Sequence, residues 1–126
     1  AINYAERRKR EGTYGNIKFL VNFDSITWGS NMKIFTKDAE LCSLIERIDR
    51  DLNIKGTPEL IDSDGFALDG KSFRETGARA MYVNSTGYDI THVWHRPEDT
   101  PETVSADCVE IGFLMFSEYI KRVQDM

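Results

Sequence analysis

The fold class of this 126-residue chain follows from one run, Ile17-Lys18-Phe19-Leu20-Val21-Asn22-Phe23, which stops at Asp24. The run is short, mostly apolar and β-prone, which is typical of a strand inside a sheet that is covered on both faces. A second run of this kind extends from Ala78 to Asn84, with Arg79 as its one charged member. Both runs predict strands that lie inside one sheet.

Helical periodicity appears between and after these runs. Residues 38–52 and 104–123 carry apolar side chains at helical spacing, so each stretch predicts a helix that packs through an apolar face. The predicted elements in chain order are helix 1–10, strands 17–23 and 31–36, helix 38–52, strand 59–61, a short helix from Asp69 that ends at Gly77, strand 78–84 and helix 104–123. This order predicts an α/β fold, a layered helix-sheet-helix unit with a mixed sheet, as a single domain over residues 1–126.

Charge and hydropathy exclude several classes of partner. The chain carries 16 basic and 21 acidic residues, and its net charge of -5 disfavours nucleic acid. No apolar run approaches the roughly 18 residues that cross a bilayer, and the first ten residues lack the apolar centre of a signal peptide, so we expect no membrane partner. Two isolated cysteines, Cys42 and Cys108, predict free buried thiols. These features predict a soluble, mature or excised segment and favour the cytoplasm.

Both histidines of the chain lie in one loop, residues 91–102, directly after the last predicted strand. Pro97, Asp99 and Pro101 are turn and helix-start residues, so they predict a rigid corner that holds His95 just before the C-terminal helix. A rigid corner suits a metal ligand. The alternative is a surface loop that happens to contain histidines.

Asp24 and His95 are the candidate metal ligands. Ligands of open α/β sheets gather where strands end, and Asp24 follows the first predicted strand while His95 follows the last. A carboxylate with an imidazole suits zinc. The alternative for Asp24 is a helix or turn cap that faces water. For His92, the alternatives are a less favoured metal ligand and an exposed or hydrogen-bonded histidine beside the site.

Two motifs give the chain a resemblance to a known family. Val21-Asn22-Phe23-Asp24 resembles the strand-terminal hydrophobic-Asn-hydrophobic-Asp motif of the di-zinc aminopeptidases, which include bacterial leucyl aminopeptidases. The residues from His95 to Thr100 resemble the closing His-x-Pro-x-Asp-Thr motif of that family, and the order of the two motifs is the same.

A third segment of the family lies between these motifs. Asp69, Phe73, Gly77 and Ala80 match its Ser-Asp-His-x-Pro-Phe and Gly-Ile-Pro-Ala segment. Ser63-Asp64 is a rival placement that needs an insertion. Either Asp64 or Asp69 therefore corresponds to the aspartate of the family's Ser-Asp motif.

The resemblance implies a site of two zinc ions held by five side chains, in which Asp24 and His95 take the last two positions, on different metals. The other ligands and the general base come from a His-x-Asp pair and a Glu-Glu pair, and neither pair occurs in these residues. We therefore expect the C-terminal part of a zinc exopeptidase, whose partners are a peptide substrate and the missing N-terminal part of the same domain. Alone, this part should be inactive.

The implied reaction removes an N-terminal residue from a peptide by attack of a metal-activated water. Many members of the family place a Tyr just before the final His, where its hydroxyl stabilises the oxyanion. Trp94 occupies that position here, which gives it a possible oxyanion or pocket role. A Trp before the zinc His also occurs in the related glutaminyl cyclases, which are the alternative enzyme class.

A third interpretation is a non-catalytic interaction domain that keeps the peptidase fold without its metals. Trp28, Tyr88 and Trp94 would then be exposed contact residues. Tryptophans in such loops also serve as pocket walls or core residues.

Overall fold

The computed structural model describes residues 1–26, 32–54, 58–65, 68–85, 93 and 95–126. Three α-helices and four β-strands form the framework. In chain order they are α1 (Ile2–Arg10), β1 (Phe19–Phe23), β2 (Lys33–Thr36), α2 (Ala39–Leu52), β3 (Glu59–Asp62), β4 (Arg79–Asn84) and α3 (Ala106–Val123). Short 3-10 helices span Tyr14–Asn16, Leu68–Thr76 and Pro101–Thr103.

The four strands form one mixed sheet in the order β1-β4-β2-β3. β1 runs parallel to β4 and β2 runs parallel to β3, whereas β2 and β4 are antiparallel. β1 and β4 therefore finish at one edge of the sheet, which we call the Asp24 end. β2 and β3 finish at the opposite edge, which we call the Asp38 end. This mixed sheet with its helices confirms the predicted α/β fold class.

One expectation about the sheet was wrong: β1 is an edge strand among the described strands. Its first four residues are half-buried and Phe23 is exposed. β4 lies inside the sheet instead, and four of its six residues are buried. An apolar run predicts that both faces of a strand are partly covered. It does not predict whether the strand pairs on one side or on both.

The hydrophobic core lies between the sheet and the helices α2 and α3. Ile34, Met81 and Val83 point from β2 and β4 into this layer and are fully buried. Their partners on the two helices are Leu41, Leu44, Ile45, Ile48, Met115, Phe116, Tyr119 and Val123. Both helices therefore pack by the apolar faces that their periodicity predicts. None of the described helices is long and apolar enough to span a bilayer.

The opposite face of β1 is covered by the 3-10 helix Leu68–Thr76. α1 packs outside it, with Tyr4 and Phe73 at 6.0 Å between ring centroids, and the Tyr14 hydroxyl after α1 donates to the Ser72 carbonyl at 2.6 Å. The predicted helix from Asp69 is thus present in 3-10 form, and it ends at Gly77, whose φ of 71° suits glycine. Helices lie on both faces of the sheet, as a layered unit requires.

Both cysteines are free thiols, as the sequence predicted. Cys108 is buried, whereas Cys42 on α2 is only half-buried. Burial raises the pKa of the Cys42 thiol, with smaller contributions from nearby carboxylates, so the thiol stays protonated and unreactive.

Candidate functional site

Strand alternation separates the side chains of β1 into two sets. Phe19 and Val21 pack on the hydrophobic core, and the Phe23 ring meets Phe116 at 4.7 Å between centroids. Asn22 and Asp24 therefore project from the other face. The hydrophobic-Asn-hydrophobic-Asp pattern is the consequence: apolar residues face the core helices, and polar residues face away from them.

Asp24 continues the pairing of β1 with β4 beyond the strand end. Its N–H donates to the Val83 carbonyl at 2.9 Å. Its Oδ2 accepts a hydrogen bond from the Tyr82 hydroxyl at 3.2 Å, and its Oδ1 accepts one from the Ser25 hydroxyl at 3.3 Å. No backbone amide or cation among the described residues binds this carboxylate. The arrangement does not support the alternative that Asp24 is a turn cap.

The residue after Asp24 is fixed in an unusual conformation. Ser25 has a φ of 53°, in the left-handed region. Its carbonyl accepts two hydrogen bonds from the buried Ser85, from the N–H at 3.2 Å and from the hydroxyl at 2.7 Å. A left-handed non-glycine residue costs free energy and persists only when its surroundings determine it. The backbone at Asp24 is therefore held at two points, by Val83 of β4 and by Ser85 directly after β4.

Tyr82 lies opposite Asn22 in the parallel register of β1 and β4. Its ring packs against Phe35 of β2 at 5.4 Å between centroids. Burial raises the pKa of Tyr82, and the neighbouring charge of Asp24 adds to the shift. Tyr82 is thus a neutral hydrogen-bond donor at neutral pH.

Asn22 connects the Asp24 end to the covering layer. Its Oδ1 accepts a hydrogen bond from the Gly70 N–H at 3.0 Å, which places Asp69 close in sequence to this end of the site. Asp64 pairs with Arg74 at 2.9 Å and lines a cleft together with Arg79 at the Asp38 end. Gly65 and Gly70 lie close together, with the Gly65 carbonyl oxygen 3.5 Å from the Cβ position of Gly70, so both Asp64 and Asp69 stay candidates for the family's Ser-Asp motif.

His95 is exposed and has a φ of 57°. Successive turns follow it, with Arg96 N–H donating to the Val93 carbonyl at 2.9 Å and Asp99 N–H to the Arg96 carbonyl at 3.0 Å. Histidine tolerates the left-handed region better than most residues. The predicted corner is present, with a 3-10 turn before α3. The chain leaves β4 for this loop from the Asp24 end.

Several predicted residues lie outside the described part of the chain. They are His92, Trp94, Trp28 and Tyr88. Their suggested roles as a third ligand, an oxyanion donor or contact residues stay predictions. The approach of Asp24 and His95 to neighbouring metals also stays a prediction.

The Asp38 end has a different chemistry. Asp38 accepts two hydrogen bonds from the Arg79 guanidinium, at 2.5 and 2.6 Å, and Glu40 lies 2.8 Å from the same group. The guanidinium holds the pKa of Asp38 below its usual range, and the backbone N–H groups of Leu41 and Glu40 assist. Arg79 also lies 5.6 Å above the Phe19 ring. An open cleft of about 330 Å³ lies here, and the charges of Asp38 and Arg79 in its lining neutralise each other.

The donor types of the two candidate ligands fit zinc, since carboxylate oxygen and imidazole nitrogen are common ligands of this metal. The ligand number is incomplete, because the described residues contain no group of three or more His, Cys, Asp or Glu placed to hold a metal ion. Sequence reasoning missed Tyr82. Its signal was available: a residue with a polar tip in the last buried strand.

A model of peptidase family M28 matches residues 1–119 of the chain. Comparisons with curated proteins and with solved structures give no match. The family match includes the Asp24 end, the His95 loop and most of α3. It therefore covers every element that positions the candidate ligands. The chain belongs to peptidase family M28, a family of zinc-dependent metallopeptidases.

Proposed function

We propose that this chain forms the C-terminal part of the catalytic domain of a zinc aminopeptidase, an exopeptidase that removes N-terminal residues from peptides. The observation that carries the proposal is the half-buried Asp24 carboxylate, which only hydroxyl groups bind within the described residues. A carboxylate withdrawn from water costs free energy unless its charge is compensated. A metal cation at the strand end would supply that compensation.

Asp24 and His95 would each hold one of two zinc ions. Backbone hydrogen bonds constrain both proposed ligands: Asp24 bonds to β4, and hydrogen-bonded turns enclose and follow His95. When bound, zinc supplies a Lewis acid for the scissile carbonyl and lowers the pKa of a bound water. The residues of this chain contribute ligand position and orientation.

The general base and the remaining ligands would come from residues outside this chain. A His-x-Asp pair and a Glu-Glu pair are the expected sources, and these 126 residues contain neither. That segment is the partner which the proposal requires. The family match supports a metallopeptidase and does not favour the glutaminyl cyclase alternative or a domain without catalysis.

The proposal is tested by comparing the full-length protein with the isolated 126-residue chain. Both are assayed with excess zinc against a panel of aminoacyl substrates and N-terminal glutaminyl peptides. We expect the full-length protein to release N-terminal residues and the isolated chain to stay at background. The reason is that general-base assistance alone contributes roughly a hundred- to ten-thousand-fold.

His95→Ala is the variant that links activity to the site, and Glu98→Gln is its control because Glu98 is exposed in the same loop. His95→Ala should abolish activity of the full-length protein, while Glu98→Gln should retain it. Robust turnover by the isolated chain, abolished by His95→Ala, would contradict the incomplete site. Cyclisation of glutaminyl peptides in place of hydrolysis would contradict the peptidase assignment.

A further inference from the structure

The hydroxyl of Tyr82 has a defined direction. An ionised carboxylate carries no proton, so in the 3.2 Å contact between the two groups Tyr82 must donate and Asp24 Oδ2 must accept. The hydroxyl of Tyr82 on β4 therefore holds one oxygen of the carboxylate that follows β1.

Tyr82 lies on a strand that is paired on both sides. β4 lies inside the sheet between β1 and β2, and Tyr82 pairs in register with a residue on each side, Asn22 and Phe35. The Tyr82 ring also packs against Phe35, at 5.4 Å between centroids. Neighbouring strands therefore fix the position of the hydroxyl that contacts Asp24.

The hydrogen bonds leave room for a metal. A carboxylate offers about four lone-pair positions on its two oxygens. Ser25 uses one position on Oδ1 and Tyr82 uses one on Oδ2. Each oxygen keeps one further position, so the same contacts that limit rotation of the carboxylate leave it able to bind a cation.

We propose that Tyr82 is a positioning residue for Asp24, whose carboxylate it orients for zinc through its hydroxyl. The inference rests on the proposed function, because it takes Asp24 to be a zinc ligand. Outer partners of this kind typically change metal affinity by roughly ten- to a hundred-fold. The 3.2 Å contact is longer than the about 2.5–2.7 Å of strong hydroxyl-carboxylate bonds, so the effect should be near ten-fold.

Tyr82→Phe in the full-length protein is the test, since it removes one oxygen atom and keeps the ring packed on Phe35. Tyr119→Phe is the matched control. The Tyr119 hydroxyl is buried and has no hydrogen-bond partner among the described residues, so its loss leaves no group unsatisfied. Zinc affinity is measured by competition with a chelator, and the midpoint of thermal unfolding is measured on the metal-free protein.

We expect Tyr82→Phe to weaken binding at one zinc site by about ten-fold with little change in the metal-free unfolding midpoint. Tyr119→Phe should leave zinc affinity unchanged. An unchanged zinc affinity in Tyr82→Phe would overturn the positioning role. If Tyr119→Phe loses as much zinc affinity as Tyr82→Phe, the effect comes from general packing, and the positioning role of Tyr82 is overturned as well.

Two further variants separate the possible failures. If Asp24→Asn leaves zinc binding intact, the metal site itself is misassigned and the proposed function fails. If Asp24→Asn weakens binding while Tyr82→Phe does not, only the positioning role fails. Should Tyr82→Phe prevent folding, 3-fluorotyrosine at position 82 replaces it: fluorine strengthens the hydroxyl as a donor to Asp24 and keeps the ring, so zinc affinity must change, and an unchanged affinity would overturn the positioning role.

Discussion

Two half-buried aspartates stand at opposite ends of one sheet, and different groups hold them. Asp38 meets the Arg79 guanidinium through two hydrogen bonds and caps α2 through two backbone N–H groups. Asp24 meets only the hydroxyls of Ser25 and Tyr82 within the described residues. The first carboxylate has its counter-charge inside the chain, whereas no cation of the described residues binds the second.

This difference separates a structural carboxylate from a functional one. Both residues follow a strand directly or nearly so, and both are carboxylates, so their types and positions alone do not distinguish them. The partner does: a bidentate arginine neutralises the charge, whereas neutral hydroxyls orient it and leave it available. The Asp38 end therefore stabilises the fold, and we propose the Asp24 end as the place of metal binding.

The largest expected effect is on catalysis. Asp24→Asn in the full-length enzyme should lower kcat/KM by at least about a hundred-fold, because a lost ligand removes several kcal/mol of metal-dependent stabilisation. Asp38→Asn should change kcat/KM by less than about three-fold at a temperature where it is folded. Steady-state assays with an aminoacyl substrate measure both. Equal losses in the two variants would break the comparison.

The next effect is on folding. Asp38→Ala should lower the free energy of unfolding by about 2–3 kcal/mol, since it removes the cap of α2 and deprives the Arg79 guanidinium of a charged partner. Urea unfolding followed by circular dichroism measures the loss. Asp125→Ala, near the exposed C-terminus, is the control and should cost less than about 0.5 kcal/mol. An unchanged free energy of unfolding in Asp38→Ala would refute the structural role of Asp38.

A smaller effect sharpens the nature of that ion pair. Arg79→Lys keeps the positive charge and loses the two-pronged geometry that contacts both oxygens of Asp38. We expect a loss of about 1 kcal/mol in unfolding free energy. Urea unfolding again provides the measurement. A loss of unfolding free energy as large as that of Asp38→Ala would mean that the positive charge contributes nothing without the bidentate geometry of the guanidinium.

The smallest effect is in the pH dependence of stability. The pKa of Asp38 lies below its ordinary value of 3.8 in the folded protein, so its charge stabilises the fold above that value. The contribution disappears as the pH falls through the folded pKa. The difference in unfolding free energy between wild type and Asp38→Asn should therefore be constant from neutral pH to about pH 5 and shrink below pH 4. A difference that grows toward low pH would contradict this sign.

Local patterns predicted the elements well. The strand predicted at 17–23 is Phe19–Phe23, and the helix predicted at 38–52 is Ala39–Leu52. Periodicity is a property of neighbouring residues, so these bounds can be read from the sequence. The helix expected from Asp69 is present in 3-10 form. The sequence did not predict this form, because hydrophobic spacing over so short a stretch does not distinguish the two kinds of helix.

The contacts that give the two aspartates their roles were not predictable in this way. Tyr82 meets Asp24 across 58 residues, and Arg79 meets Asp38 across 41. Both contacts depend on strand order and register, and the order β1-β4-β2-β3 puts the last strand between the first two. The place of Asp24 at a strand end predicted a metal ligand, which stays a prediction, but its hydrogen-bond partners were not predicted.

The most direct test compares zinc affinity in wild type, Asp24→Asn and Asp38→Asn, each as full-length protein titrated against a chelator of known affinity. We predict that Asp24→Asn lowers zinc affinity at one site by at least about a hundred-fold. Asp38→Asn should bind zinc like the wild type and have a lower free energy of unfolding. Undiminished zinc binding in Asp24→Asn, or weakened binding in Asp38→Asn at a temperature where it is folded, would contradict the assignment of the two ends of the sheet.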